Sequence, residues 1–405
     1  MFNSRLNPTK YKGNELKYLK KVLRAESWSA TGGSWNQQLE VQFASKFEST
    51  HAVAMNSGTA TLHAALIALG VKPGDEVITP ALTVIMDTTA ILHANAIPVY
   101  VDVDESTFNL DIDKVRNAIT PKTKAIIAVS LYGLPCDLAG LRKIADDSGV
   151  GLIEDNAQCF LSTYDGKLAG TFGEISSWSF ENTKHISCGE GGIVTTNNAE
   201  LATKMRKFAG HGFKNLTADE GRVRLRQDVF QNPHYKRHDS LGWNYRLPEF
   251  NAAVALAQLE RIESLVRMRQ VVAELFLDVL SQTEYFIPQK IPGNATHSFY
   301  TLGVRYFGER HGVSWQEFRA EYVRAGGDGI YGAWSVPYLE PVIHDRTYVD
   351  HNPEIYESVV FREGLCPVAE RIQPELMQFK TNYRSMRLAK EKAKVLDRTI
   401  KKLLK

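Results

Sequence analysis

Between residues 50 and 155, short apolar runs alternate with longer runs whose apolar positions recur at helical spacing. Residues 51–55, 76–79, 97–101, 125–130 and 151–154 are four to six residues long, partly β-branched and closed by turn formers, so each predicts a buried strand. Residues 60–69, 83–94, 111–119 and 138–147 predict the helices between them. Such alternation argues for an α/β fold with a mostly parallel central sheet, right-handed crossovers and helices on both faces. Further strand-like runs lie at 175–180 and 192–195. After residue 210 the pattern lapses into a polar excursion, 213–240, that carries Arg222, Arg224, Arg226, Lys236 and Arg237. One helix is then predicted from 248 through 268, with Ala252, Leu256, Leu259, Ile262 and Val266 on its apolar face. A strand near 298–304, a helix over 314–325 and a C-terminal helix striped by Ala389, Ala393, Leu396, Ile400 and Leu403 suggest a second unit. Ahead of all this, Asn14 is placed to cap a short helix through Arg24. The expected organisation is an N-terminal arm (1–30) packing on the small domain, a large domain (31–255) and a smaller α+β C-terminal domain (256–405).

A length of 405 residues suits two domains. With 48 basic against 46 acidic residues the net charge is +2, so no nucleic-acid partner is expected. No apolar run follows Met1 and no window has the length of a membrane span, so neither a signal peptide nor a membrane partner is expected. Cys136, Cys159, Cys188 and Cys366 are widely spaced and read as reduced thiols in a cytoplasmic protein. His51, His63 and His93 lack ligand spacing and read as packing or capping residues, with no metal expected.

In a parallel sheet, ligands bind outside the carboxyl ends of the strands. That rule selects three stretches. Asn56-Ser57-Gly58-Thr59 joins a strand to a helix; on its own it reads first as a helix cap by Ser57 or Thr59, with a phosphate site at the helix N-terminus as the alternative. Glu154-Asp155-Asn156-Ala157-Gln158 puts a carboxylate at a buried strand end, where it needs a positive partner such as a protonated ring nitrogen, or else caps the next turn. Lys184 follows the run 175–180 and precedes Gly189-Glu190-Gly191-Gly192, a turn that lets backbones approach closely. It reads as a surface lysine or as an amine able to form a Schiff base. No one stretch decides the matter. Together they supply what pyridoxal phosphate needs: an anchor for the phosphate, a carboxylate for the pyridine nitrogen and a lysine for the aldehyde.

These motifs resemble those of the DegT/DnrJ/EryC1/StrS sugar aminotransferases, fold-type I enzymes dependent on pyridoxal phosphate. The resemblance covers nearly the whole chain. Asn56-Ser57-Gly58-Thr59-Ala60 is similar to the family's phosphate loop, so it implies cofactor contacts from Gly58 and Thr59. Lys72-Pro73-Gly74-Asp75-Glu76-Val77-Ile78-Thr79-Pro80 resembles its second-strand signature. In Glu154-Asp155-Asn156-Ala157-Gln158, the resemblance assigns Asp155 to the pyridinium and Gln158 to the ring hydroxyl. Ser179-Phe180, Lys184 and the glycine turn resemble the Schiff-base segment, with Ser179 also touching the phosphate. Gly242-Trp243-Asn244-Tyr245-Arg246 implies that Asn244 reaches the phosphate of a neighbouring subunit, hence a homodimer. Cys366-Pro367-Val368-Ala369-Glu370 resembles the C-terminal landmark.

The resemblance implies a seven-stranded type of large-domain sheet. It also implies ping-pong transfer of an amino group from glutamate to a keto-sugar, most often nucleotide-linked, in surface-polysaccharide or lipopolysaccharide biosynthesis. Lys184 is the implied catalytic residue. Some family members carry histidine at the lysine position and remove a sugar hydroxyl instead. Here the lysine is present and His185 is offset by one, so transamination is expected and His185 is a bystander. The resemblance also admits a sugar-acid substrate without a nucleotide, or a non-catalytic regulatory or binding role. One departure is Val84, which stands where the family usually has an aromatic residue that stacks on the cofactor ring.

Overall fold

The computed structural model describes residues 11–25, 29–223, 225–383 and 385–405. Expectations for the first ten residues and for Arg224 fall outside them.

Seven strands form the central sheet: β1 (His51–Met55), β2 (Glu76–Pro80), β3 (Ile97–Val101), β4 (Thr123–Val129), β5 (Gly151–Asp155), β8 (Ile175–Ser179) and β9 (Gly192–Thr196). A small ladder, β6 (Thr163–Tyr164) with β7 (Lys167–Leu168), interrupts them in the chain. The order across the sheet is β1-β9-β8-β5-β4-β2-β3. The run β8-β5-β4-β2-β3 is parallel, and β9 alone opposes its neighbours. The expected seven-stranded, mostly parallel sheet is therefore present. Its helices are α3 (Gly58–Ala68), α4 (Met86–His93), α5 (Ile112–Ala118), α6 (Leu138–Ser148) and α7 (Ala199–Ala209), which follow α1 (Glu15–Leu23) and α2 (Trp35–Lys46). Local chemistry sets several of their ends. Asp111, Asp137 and Asn198 cap α5, α6 and α7, and Gly149 closes α6 in the left-handed region that favours glycine. Three clusters of buried apolar side chains cover the sheet's faces.

After α7 the chain makes the expected excursion, in which the short α8 (Gln227–Gln231) is the one helix among the described residues. The helix expected over 248–268 is instead two, α9 (Glu249–Leu259) and α10 (Ile262–Leu280). Near Arg261 the hydrogen bonding tightens to a three-residue step, from Arg261 N to Gln258 O, and the axis breaks with no glycine or proline to announce it. The smaller sheet, β10-β11-β13-β12, pairs Phe286–Pro288, Leu302–Tyr306, Leu376–Phe379 and Tyr331–Gly332, all antiparallel. It packs against α10, α11 (Trp315–Arg324, with a Ser314/Glu317 capping box) and the C-terminal helix Met386–Leu403.

Two domain expectations need revision. The described part of the arm, α1, packs on the large-domain side rather than on the small domain. Val22 joins the cluster of α2, β8 and α9, and Asn14 donates to Glu260 instead of capping α1. Nor does the chain after 255 keep to the smaller domain. Ile262 and Val266 on α10 belong to the large-domain core, while Val272 and Phe276 belong to the C-terminal core. Residues 336–376 return to the large domain: Tyr338, Tyr356 and Ile372 pack on it, and the Asp102 carboxylate accepts from the N–H groups of Val368 and Ala369.

Candidate active site

The carboxyl ends of β1, β2, β4, β5 and β8 open into one cavity of about 780 Å³, with residues of the C-terminal domain on its far side. Of the site residues expected from sequence, Gly58, Thr59, Asp155, Gln158, Ser179 and Lys184 line it. Asn244 does not; it is exposed, and its carbonyl accepts from Asn56.

At the end of β1, Ser57 caps α3 through the N–H of Ala60 (3.1 Å), so the cap reading of this loop is realised. The anion reading stands beside it, because the first N–H groups of an eleven-residue helix have no intrahelical acceptor and the loop lines the cavity. Close packing shapes this loop. A Cβ on Gly58 would lie 2.9 Å from Ser179 Cβ, and a Cβ on Gly192 would lie 2.7 Å from the backbone of Ser57. The glycine turn after Lys184 is thus what lets β9 press against the loop.

At the end of β5, Asp155 is buried. Its Oδ1 accepts from Ala157 N (2.9 Å). Burial raises the carboxyl's pKa, opposed by the Ala157 N–H and by the charge of Lys184. Gln158 is oriented by Tyr132, whose N–H donates to its Oε1 (2.8 Å), leaving Nε2 as the donor for the cavity. Tyr132 holds φ of +61°, a strained setting for a tyrosine and one typical of residues fixed by function.

Lys184 lies in the loop between β8 and β9, with its Nζ 4.7 Å from the centre of the Tyr300 ring. Its backbone is clamped. The buried Arg269 of α10 donates to the carbonyls of Thr183 (2.8 Å), Lys184 (2.9 Å) and Tyr300. Desolvation lowers the pKa of this guanidinium to about 10. His185 points the other way. Its ring is buried near Phe160, with Nε2 3.0 Å from the Ser298 carbonyl, and burial followed by the Arg269 charge keeps it neutral. Val84 lines the cavity, as does the exposed Met86. Arg222, Arg226 and Arg237 do not line it; Arg222 and Arg226 pair with Glu220 and Asp228, and Arg237 donates to the carbonyls of Tyr235 and Phe230.

Sequence reasoning missed Arg269, Tyr300, and the wall of Tyr331, Trp334, Lys380 and Asn382, which line the cavity, and Asp87, which is buried behind Asp155. Two of these left a signal. Asp87 is a lone carboxylate in an otherwise uncharged run, and Arg269 sits between Val266 and Val272 on an apolar helical stripe. A buried charge at such a position demands a partner.

The groups present fit pyridoxal phosphate: an N-terminal helix cradle that a Cβ would crowd, a buried carboxylate within the field of the Lys184 amine, and that amine over the Tyr300 ring on a backbone clamped by Arg269. Fold and site together define an aminotransferase dependent on pyridoxal phosphate. Residues 9–339 match the model of the DegT/DnrJ/EryC1/StrS aminotransferase family. The chain is 36% identical over 264 residues to the GDP-perosamine synthase of Escherichia coli O157:H7, covering 65% of this chain and 68% of that protein. It is 32% identical over 319 residues to the spore coat polysaccharide biosynthesis protein SpsC of Bacillus subtilis (strain 168), 79% of each. Among solved structures, an aminotransferase from Psychrobacter cryohalolentis superposes with a TM-score of 0.83 at 28% identity, over 96% of this chain and 97% of that one. The chain belongs to the DegT/DnrJ/EryC1/StrS aminotransferase family.

Proposed function

We propose that this enzyme transfers the amino group of glutamate to a nucleotide-linked keto-sugar, in the cytoplasm, for surface-polysaccharide or lipopolysaccharide biosynthesis. The observation that carries this reading is the convergence of Lys184, Asp155 and the Gly58–Thr59 loop on one cavity. The GDP-perosamine synthase relatives supply the sugar-nucleotide class. A cavity of about 780 Å³ is large enough for such a substrate.

When bound, pyridoxal phosphate supplies an electron sink that stabilises negative charge at the carbon losing its proton. The N–H groups of Gly58 and Thr59, with Ser179 Oγ, would hold its phosphate. Asp155 would keep the ring nitrogen protonated, and Gln158 would face the ring hydroxyl. Lys184 would hold the cofactor, and its Nζ would be the base that takes and returns the proton at the reacting carbon. The Arg269 clamp holds the backbone from which that amine swings. Asn244, exposed outside this cavity, would serve the phosphate of a neighbouring subunit in a homodimer.

What supports transamination over dehydration is the orientation of neighbours: the Lys184 side chain enters the cavity, and the His185 ring lies behind it. The test is to incubate the loaded enzyme with glutamate and a GDP-linked 4-keto-6-deoxysugar. Stoichiometric 2-oxoglutarate and an aminated sugar are expected. A sugar that loses oxygen without gaining nitrogen would overturn the reading.

A further inference from the structure

Asp87 has no role in the chemistry above, yet it sits directly behind Asp155. It lies in the first turn of α4 and is fully buried. One oxygen, Oδ2, accepts from Thr83 Oγ1 at 2.7 Å. The other, Oδ1, is buried and receives no donor. Among the described residues no lysine, arginine or histidine pairs with it. What faces it is the carboxyl of Asp155, within hydrogen-bonding reach, and more remotely the Tyr100 hydroxyl on β3, which is engaged with Thr88 Oγ1 at 3.1 Å. Lys184 is the cation near the pair, and it acts on Asp155.

Two adjoining carboxyls, one fully buried and the other at the cavity wall, with a single amine acting on Asp155, cannot both be ionised. The proton belongs on the member farther from the amine. Burial and the Asp155 charge raise the Asp87 pKa well above the ordinary carboxyl range. The orphaned Oδ1 then has an explanation: it carries the hydrogen, and the missing partner is Asp155.

We propose that Asp87 is held as a neutral carboxylic acid that donates a hydrogen bond to Asp155, and that it thereby tunes how strongly Asp155 holds the proton on the cofactor's ring nitrogen. Asp87 is a positioning residue, acting through Asp155. A hydrogen bond donated to a carboxylate withdraws charge from it and weakens it as a base. Three bases, the ring nitrogen and two carboxyls, share two protons, and Asp87 sets where the one between ring and Asp155 rests. This second half builds on the cofactor site proposed above; the first half needs no cofactor.

The test has two arms. In the apoprotein at pH 8, the infrared difference spectrum of wild type minus Asp87→Asn should show a protonated-carboxyl C=O band that shifts in heavy water. A difference showing only carboxylate bands would overturn the proposal. Asn is nearly isosteric and can donate from Nδ2, so the variant should fold. In protein loaded with cofactor labelled with ¹⁵N at the ring, Asp87→Ala should move the ring-nitrogen resonance toward the unprotonated limit, as a more basic Asp155 draws the shared proton, with Asp87→Asn between it and wild type. Identical resonances in all three would overturn the tuning role. The infrared arm uses no cofactor, so it stands or falls apart from the reading of the site.

Discussion

Glu154 and Asp155 are consecutive carboxylates on β5, and the sheet sends them to opposite faces. Behind the sheet, Glu154 is fully buried and accepts from the N–H groups of Gly170 (2.6 Å), Phe172 (2.8 Å) and Gly173 (2.7 Å). It staples the 170–173 turn to the strand. On the cavity side, Asp155 has one backbone N–H, an amine and a second carboxyl. The same division separates Lys184, in the cavity, from His185, packed behind it. A buried charge whose bonds are filled by local backbone holds the fold. A buried charge left with capacity facing a cavity is available for chemistry.

That contrast can be broken by substitution. The largest effect is expected for Lys184→Ala: loss of the covalently held cofactor and a fall of at least about 10³-fold in the glutamate half-reaction, read by single-turnover absorbance. Turnover persisting within tenfold of wild type would remove Lys184 from the chemistry. Next is Asp155→Asn, expected to lower kcat by about 10²–10³-fold with melting temperature kept or raised, since a buried charge becomes neutral. Its counterpart Glu154→Gln should do the reverse. Turnover per folded molecule should be nearly unchanged, while stability falls by about 1–3 kcal/mol as backbone donors lose their acceptor; urea titration measures this. Smaller again is Trp334→Ala, at the half-exposed mouth of the cavity. A sugar-nucleotide KM raised about fivefold with kcat unchanged is expected, since one aromatic contact contributes about 1 kcal/mol.

The pH dependence of the apoprotein sharpens the same contrast. The Asp87 pKa is raised in the fold, so the folded state binds more protons than the unfolded one above the ordinary carboxyl range. Stability from this group is therefore fully present below that range and declines as pH rises toward the folded value. Asp87→Asn should flatten that decline, at about 1.4 kcal/mol for each unit by which the pKa is raised. Urea midpoints between pH 5 and pH 8 measure it, and parallel slopes in both proteins would contradict it.

The cavity's two walls were unequally legible in the sequence. The strand-end wall follows from a local rule: short buried strands place the next residues at one edge, and Asp155, Lys184 and the Gly58 loop each sit just after a strand. The glycine turn at 189–192 was readable as a close approach, and Gly192 against Ser57 realises it. The opposite wall has no such signature. Arg269, Tyr300, Trp334 and Lys380 come from a helix, a loop and both sides of the smaller sheet, and only tertiary packing brings them together. The break between α9 and α10 was hidden because the apolar stripe continues through it. The placement of α1 was hidden because its amphipathic face fits either domain.

The most direct measurement is reduction of the cofactor-loaded enzyme with borohydride, followed by digestion and mass spectrometry of the lysine peptides. A phosphopyridoxyl group is expected on Lys184 alone, and none after Lys184→Ala. Label on Lys380, which also lines the cavity, or no label on any lysine at saturating cofactor, would contradict the role given to Lys184.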